Sequence, residues 1–90
     1  GYGIFSGKAV TWACLRFSSE RARWVSKEQW HPQQKGKFEE DGSYLLEVPF
    51  SDNRELIMDI LRHGAEVEVI SPQKLRKRVG QELKSALKYY

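Results

Sequence analysis

Residues 9–17 constrain this chain more than any other stretch. Successive side chains of a strand point to opposite faces. Val10, Trp12, Cys14 and Arg16 therefore share one face, and Ala9, Thr11, Ala13, Leu15 and Phe17 the other. A strand with apolar residues on both faces belongs in the middle of a sheet. The 90 residues have room for one such sheet and one core. A chain this short buries only about 60–65% of the surface that its unfolded form exposes, which leaves no space for a deep catalytic cleft as well.

The flanking segments say what the central strand is paired with. Ser18 or Ser19 can cap a helix over roughly residues 19–27, its stripe made by Ala22, Val25 and Trp24. Trp30-His31-Pro32 closes that region, because proline disfavours helix at the residue before it. Residues 34–40 form a weak polar strand with Phe38 as its one strong apolar residue, and Lys35 and Lys37 are what an edge strand carries against edge-to-edge pairing. Asp41-Gly42 is a hairpin signal. A good strand follows over 43–50, with Tyr44, Leu46, Val48 and Phe50 on one face. Pro49 lacks an N–H and is expected where the strand leaves the ladder.

Asp52 with Glu55 has the form of a capping box, and Leu56, Ile57, Ile60 and Leu61 make the stripe of a second helix that ends at Gly64. Val67, Val69 and Ile70 form a short strand. Ser71-Pro72 opens a third helix, with Ser as cap and Pro in the first turn. Leu75, Val79, Leu83, Ala86, Leu87 and Tyr90 recur along it at spacings of three and four. Gly80 either weakens this helix by about 1 kcal/mol relative to Ala or admits a close neighbour.

The order is β-α-β-β-α-β-α. Its first six elements are the split βαβ pattern of the ferredoxin-like fold. The expected architecture is α+β: a four-stranded antiparallel βαββαβ sheet, two helices on one face, and an added C-terminal helix.

No catalytic constellation is visible, and the expectation is a protein that is not an enzyme. His31 and His63 have no Cys or His at ligand spacing, so no metal site and no cofactor are expected. Gly3 and Gly7 make no phosphate-binding loop. Cys14, the one cysteine, excludes an internal disulfide, fits a reducing cytoplasm and reads as a buried structural thiol. Glu39-Glu40-Asp41 reads as a solvated turn. No apolar run is long enough to span a bilayer, so no membrane contact is expected.

What remains is binding. The formal charge of +3 permits an anionic partner without demanding one. Arg16, Arg21 and Arg23 stand where the first strand meets the first helix, and arginine there can clamp a phosphate or carboxylate. The plainer reading is surface arginines balancing Glu20 and Glu28. Lys74, Arg76, Lys77 and Arg78, with Lys84 and Lys88, read as scattered around a solvated helix. Trp12 is the single aromatic on an otherwise weak RNA-recognition face and is better placed at an interface.

The whole string resembles a bacterial regulator family. Tyr2-Gly3-Ile4-Phe5-Ser6-Gly7 is similar to the segment leaving the WYL domain of WYL-type transcriptional regulators. The rest resembles their C-terminal extension, WCX. The matching pieces are Leu15-Arg16-Phe17-Ser18, Ala22-Arg23, Trp30-His31, Gln34, Asp41-Gly42-Ser43, Glu55-Leu56, Ile60-Leu61-Arg62-His63-Gly64, Val67-Glu68-Val69-Ile70-Ser71-Pro72 and Leu75-Arg76. The resemblance implies residues 1–8 as the exit of an upstream WYL domain and residues 9–90 as the extension, with a winged helix–turn–helix further upstream. It also implies a cytoplasmic, non-catalytic domain that dimerises and senses an effector, which is nucleic acid in some members. The Trp-Tyr-Leu signature and the DNA-reading helix are absent from this chain, so those functions are not carried over.

On this reading Arg16, Arg21, Arg23 and Arg76 are the candidate ligand-binding residues, with Arg16 and Arg23 expected to face one groove. Trp12, Leu83, Leu87 and Tyr90 are the candidate homodimer interface. Two alternatives stand beside it: a stand-alone module of ferredoxin-like shape that binds single-stranded nucleic acid, and a small-molecule sensor resembling ACT domains.

Overall fold

The computed structural model describes residues 10–90, so the exit segment expected over residues 1–8 lies outside the described residues. Four strands, β1 (Thr11–Phe17), β2 (Lys35–Phe38), β3 (Tyr44–Phe50) and β4 (Val67–Ser71), form one sheet in the order β2-β3-β1-β4. All neighbours are antiparallel. Three helices, α1 (Ser19–Val25), α2 (Asn53–Arg62) and α3 (Gln73–Leu87), complete an α+β fold of the ferredoxin-like kind with an added C-terminal helix.

The register explains the core. Ala13 lies opposite Val48, Leu15 opposite Leu46 and Phe17 opposite Tyr44. Leu15 also lies opposite Val69 of β4. These side chains share one face and are buried, and Ala22 and Val25 of α1 and Leu56, Ile57 and Ile60 of α2 close over them. A fully buried Leu or Phe of this kind contributes about 1.5–3 kcal/mol. The opposite face, with Trp12, Cys14, Arg16, Leu45 and Glu47, carries no helix of the βαββαβ unit.

Local chemistry sets the element ends. The Ser18 hydroxyl accepts from the Arg21 N–H at 3.2 Å and so caps α1. The Asp52 carboxylate does the same for α2 through the Arg54 N–H at 3.0 Å. In the hairpin between β2 and β3, Gly42 takes φ +90°, and Asp41 accepts from the Ser43 N–H at 2.9 Å. Gly64 takes φ +56° after α2. Pro49 sits inside β3, beyond Glu47, the last residue that β2 pairs.

Several expectations need correction. α1 ends at Val25 and not near residue 27. Trp24 does not join the apolar stripe of that helix but stands 55% exposed, because Ala22 and Val25 already define the buried side. Ser71 belongs to β4, and Pro72 takes the capping position of α3 without a side-chain bond, since proline has none to offer. A β-carbon at Gly80 would meet nothing within 4 Å, so that glycine admits no close neighbour. Gly80→Ala is expected to stabilise the fold by about 0.5–1 kcal/mol, read as a higher urea midpoint.

Gly36 is different. Its β-carbon would fall on the hydroxyl and ring tip of Tyr44, whose ring crosses over β2. Gly36→Ala is expected to cost about 1–3 kcal/mol in urea unfolding, the range for overpacking. Adding Tyr44→Phe should recover only part of that loss, because the ring tip remains.

Candidate functional site

Arg16 projects from the helix-free face of β1. Its Nε donates to the Glu39 carboxylate at 2.8 Å, and its Nη1 lies 3.5 Å from the Glu68 carboxylate. Arg76 reaches across from α3, donating from Nη1 to Glu68 at 3.2 Å and to the Val69 carbonyl at 2.8 Å. Glu68 therefore ties these two candidate arginines together. Glu39 also accepts from the Ser43 hydroxyl at 2.8 Å. The bonds from Arg16 and then Ser43 hold its carboxyl below the usual range, and the Glu39 bond raises Arg16. Arg16 thus has two carboxylates of its own chain around it.

Arg21 and Arg23 lie elsewhere. Both are on α1, across the sheet from Arg16, so Arg16 and Arg23 do not face one groove. The reason is parity: Arg16 alternates with Leu15 and Phe17, and α1 packs on the Leu15–Phe17 face. The Arg23 guanidinium lies 5.5 Å from the centre of the Trp24 ring. Among the described residues neither Arg21 nor Arg23 has an acidic partner.

Arg21 instead meets His63, with Nη1 3.2 Å from Nδ1. Arginine can only donate, so Nδ1 accepts and the ring proton is on Nε2. His63 is buried, stacked on Trp30 (5.8 Å between centroids, 17° between planes) and met edge-on by Phe17 at 5.1 Å. Its buried Nε2 has no hydrogen-bond partner among the described residues. Sequence spacing gave no hint of this pairing, since Trp30 and His63 come from different halves of the chain.

Among the described residues the helix-free face carries one exposed aromatic. Trp12 is 39% exposed, with Lys35 Nζ 5.2 Å from its ring centre. On β3 it lies opposite Pro49, with Glu47 the next residue along the same face, and Glu47 lies opposite Lys35. This face has neither a second stacking ring on β3 nor an excess of cations. Cys14 on the same face has its thiol pKa raised, first by burial and then by Glu47, which keeps it protonated. Of the candidate interface residues on α3, Leu83 is 49% exposed, Leu87 69%, and Tyr90 fully exposed. Among the described residues no group of three or more His, Cys, Asp or Glu could hold a metal ion, and no helix is long and apolar enough to cross a membrane.

Burial, and then the charges of Arg62 and Arg21, hold the His63 pKa below its ordinary value, with Glu28 and Asp59 opposing. The unfolded chain therefore binds this proton more tightly. The His63 contribution is complete above the unfolded value of about 6.5 and is lost as pH falls from there through the folded pKa. The urea midpoint is expected to drop between about pH 7 and pH 5. His63→Gln should be less stable at pH 7 but should flatten that slope, and an equally steep slope in the variant would show that the proton is bound elsewhere.

None of the curated proteins compared with the chain matches it. The sheet order, the paired crossover helices and the added α3 are instead carried by a sequence that matches the WCX domain family over residues 9–87, and the chain belongs to that family.

Proposed function

We propose that this chain is the non-catalytic regulatory domain of a bacterial WYL-type transcription regulator, working in the cytoplasm, where it dimerises and helps to sense an anionic effector. The observation that carries the reading is the family match, which runs through all four strands and all three helices. A WYL domain and a winged helix–turn–helix upstream complete the regulator on this reading.

Dimerisation is supported by α3. Leu75 and Val79 anchor its first half, whereas Leu83 and Leu87 continue the same stripe into solvent. Leu83 also borders a shallow groove formed with Leu61, Val67 and Val79. Exposed leucines that extend a groove are a natural seat for a second copy. For the effector, Arg21 and Arg23 are the better candidates, because Arg16 and Arg76 are engaged by Glu39 and Glu68.

Sedimentation equilibrium tests the assembly. The expected result is a dimer that Leu83→Asp with Leu87→Asp weakens by at least about 100-fold, the effect of placing two charges in an apolar contact. Circular dichroism of the variant should be unchanged, since neither leucine is buried in the protomer. A monomeric wild-type chain at all concentrations removes dimerisation from the reading.

A further inference from the structure

Successive residues of an α-helix turn by about 100°. On the continuous α3, Lys74, Lys77, Arg78, Lys84 and Lys88 then do not scatter but fall within an arc of about 120°. The only other residues in that arc are Gln81 and Ser85, and all seven are exposed. Leu75 and Val79, which anchor the helix, lie on the other side. The row from Lys74 to Lys88 is about 21 Å long at 1.5 Å per residue.

The charge balance of the chain is concentrated here. Residues 73–88 hold six cations and one acid, Glu82, for a net +5. The chain as a whole is +3, so the other 74 residues are net −2. Within the arc only Arg78 has an acidic partner among the described residues, Glu82 at 2.6 Å. Elsewhere several arginines are matched, Arg16 with Glu39 and Glu68, Arg54 with Asp52, Arg62 with Asp59 and Glu28, and the cations without an acidic partner among the described residues are not gathered in one row.

We propose that the cationic stripe of α3 is a binding track for the phosphodiester backbone of duplex nucleic acid, engaged without regard to sequence. Four features select this partner. The arc has no apolar residue, whereas a protein interface needs an apolar centre. An anionic membrane would be met by a helix that lays its apolar face into the lipid, but Leu75 and Val79 of that face are buried in the core, which leaves only Leu83 and Leu87 exposed, and these point away from the lysine row. A straight row of flexible lysines with open ends fits a regularly spaced row of phosphates, which lysine meets as a point charge. Single-stranded recognition would need stacking rings, and the arc has none. The inference stands on this charge placement alone and does not depend on the regulator reading or on the dimer.

The test is fluorescence anisotropy of a labelled 20-base-pair DNA duplex titrated with the 90-residue chain at several salt concentrations. Four to five phosphate contacts predict a log–log salt slope of about −4. The Lys74→Gln, Lys77→Gln, Lys84→Gln, Lys88→Gln variant should bind about 100-fold more weakly at low salt, with a slope of about −1. Its helicity should be retained, because none of the four side chains is buried. Lys35→Gln with Lys37→Gln, on the helix-free face, should bind as the wild type does. The proposal is overturned by any of four results: no duplex binding by the wild-type chain, an unchanged quadruple variant, loss in the Lys35/Lys37 variant instead, or tighter binding to phosphatidylserine vesicles than to the duplex.

Discussion

The structure hangs on the two residues where β1 passes into α1. Phe17 is fully buried, and its ring meets Trp30 at 5.7 Å and His63 at 5.1 Å, both edge-on. Besides accepting the first bond of α1 at its carbonyl, from the Ala22 N–H at 2.8 Å, Ser18 then makes three bonds. Its N–H donates to the Glu66 carbonyl at 3.0 Å, its hydroxyl donates to the Glu66 carboxylate at 2.7 Å, and the same hydroxyl accepts from Arg21. Strand end, helix start, the loop after α1 and the turn after α2 are thereby fixed to one another. A split βαβ fold has two crossovers that pack on its two central strands, β1 and β3, and this junction is where both crossovers are tied to β1. The cost is visible at His63, which keeps one ring nitrogen buried and unpaired to complete the aromatic stack.

Much of this was legible because it depends on period and on local chemistry. The two-sided apolar pattern of residues 9–17 marks a central strand, and β1 lies between β3 and β4. Ser18, Asp41-Gly42, Asp52 and Gly64 act within a few residues of themselves, so their roles can be read from sequence. Trp24 shows a signal that was present but outweighed by residue type: with Ala22 and Val25 inside, helical geometry already turns residue 24 outward. Pro72 and not Ser71 takes the capping position of α3, because β4 runs on through Ser71. The site was less legible. The separation of Arg16 from Arg23 follows from strand parity only once it is known which face the helices cover. The Arg21–His63–Trp30 cluster comes from three distant segments, and no local rule pairs them.

Charge is sorted by element in the same way. On the helix-free face, Arg16 lies between Glu39 and Glu68, and Lys35 stands opposite Glu47. Such neighbours on one face neutralise each other at short range, and little field extends from them. On α1, Arg21 and Arg23 have no acidic partner among the described residues, but Arg21 is bonded to a neutral imidazole and Arg23 lies against an indole. A mild net charge spread over the whole chain therefore says little about where an anion would be felt. The relevant quantity is the local excess, and α3 is the element that has it.

α3 is also the element that the βαββαβ unit does not need. Leu75 and Val79 bury its first half against β4 and α2, and beyond Val79 none of its residues is buried. Helices of this length owe most of their stability to packing rather than to propensity. The second half is held by the anchored first half and by one side-chain pair across a turn, Arg78 with Glu82. Gly80 sits at the boundary between the two halves and loosens it further. The part of the fold that depends least on the domain's own core thus displays leucines on one side and lysines on the other. The two sides are different faces of one helix, so an apolar contact and an ionic one would draw on different residues.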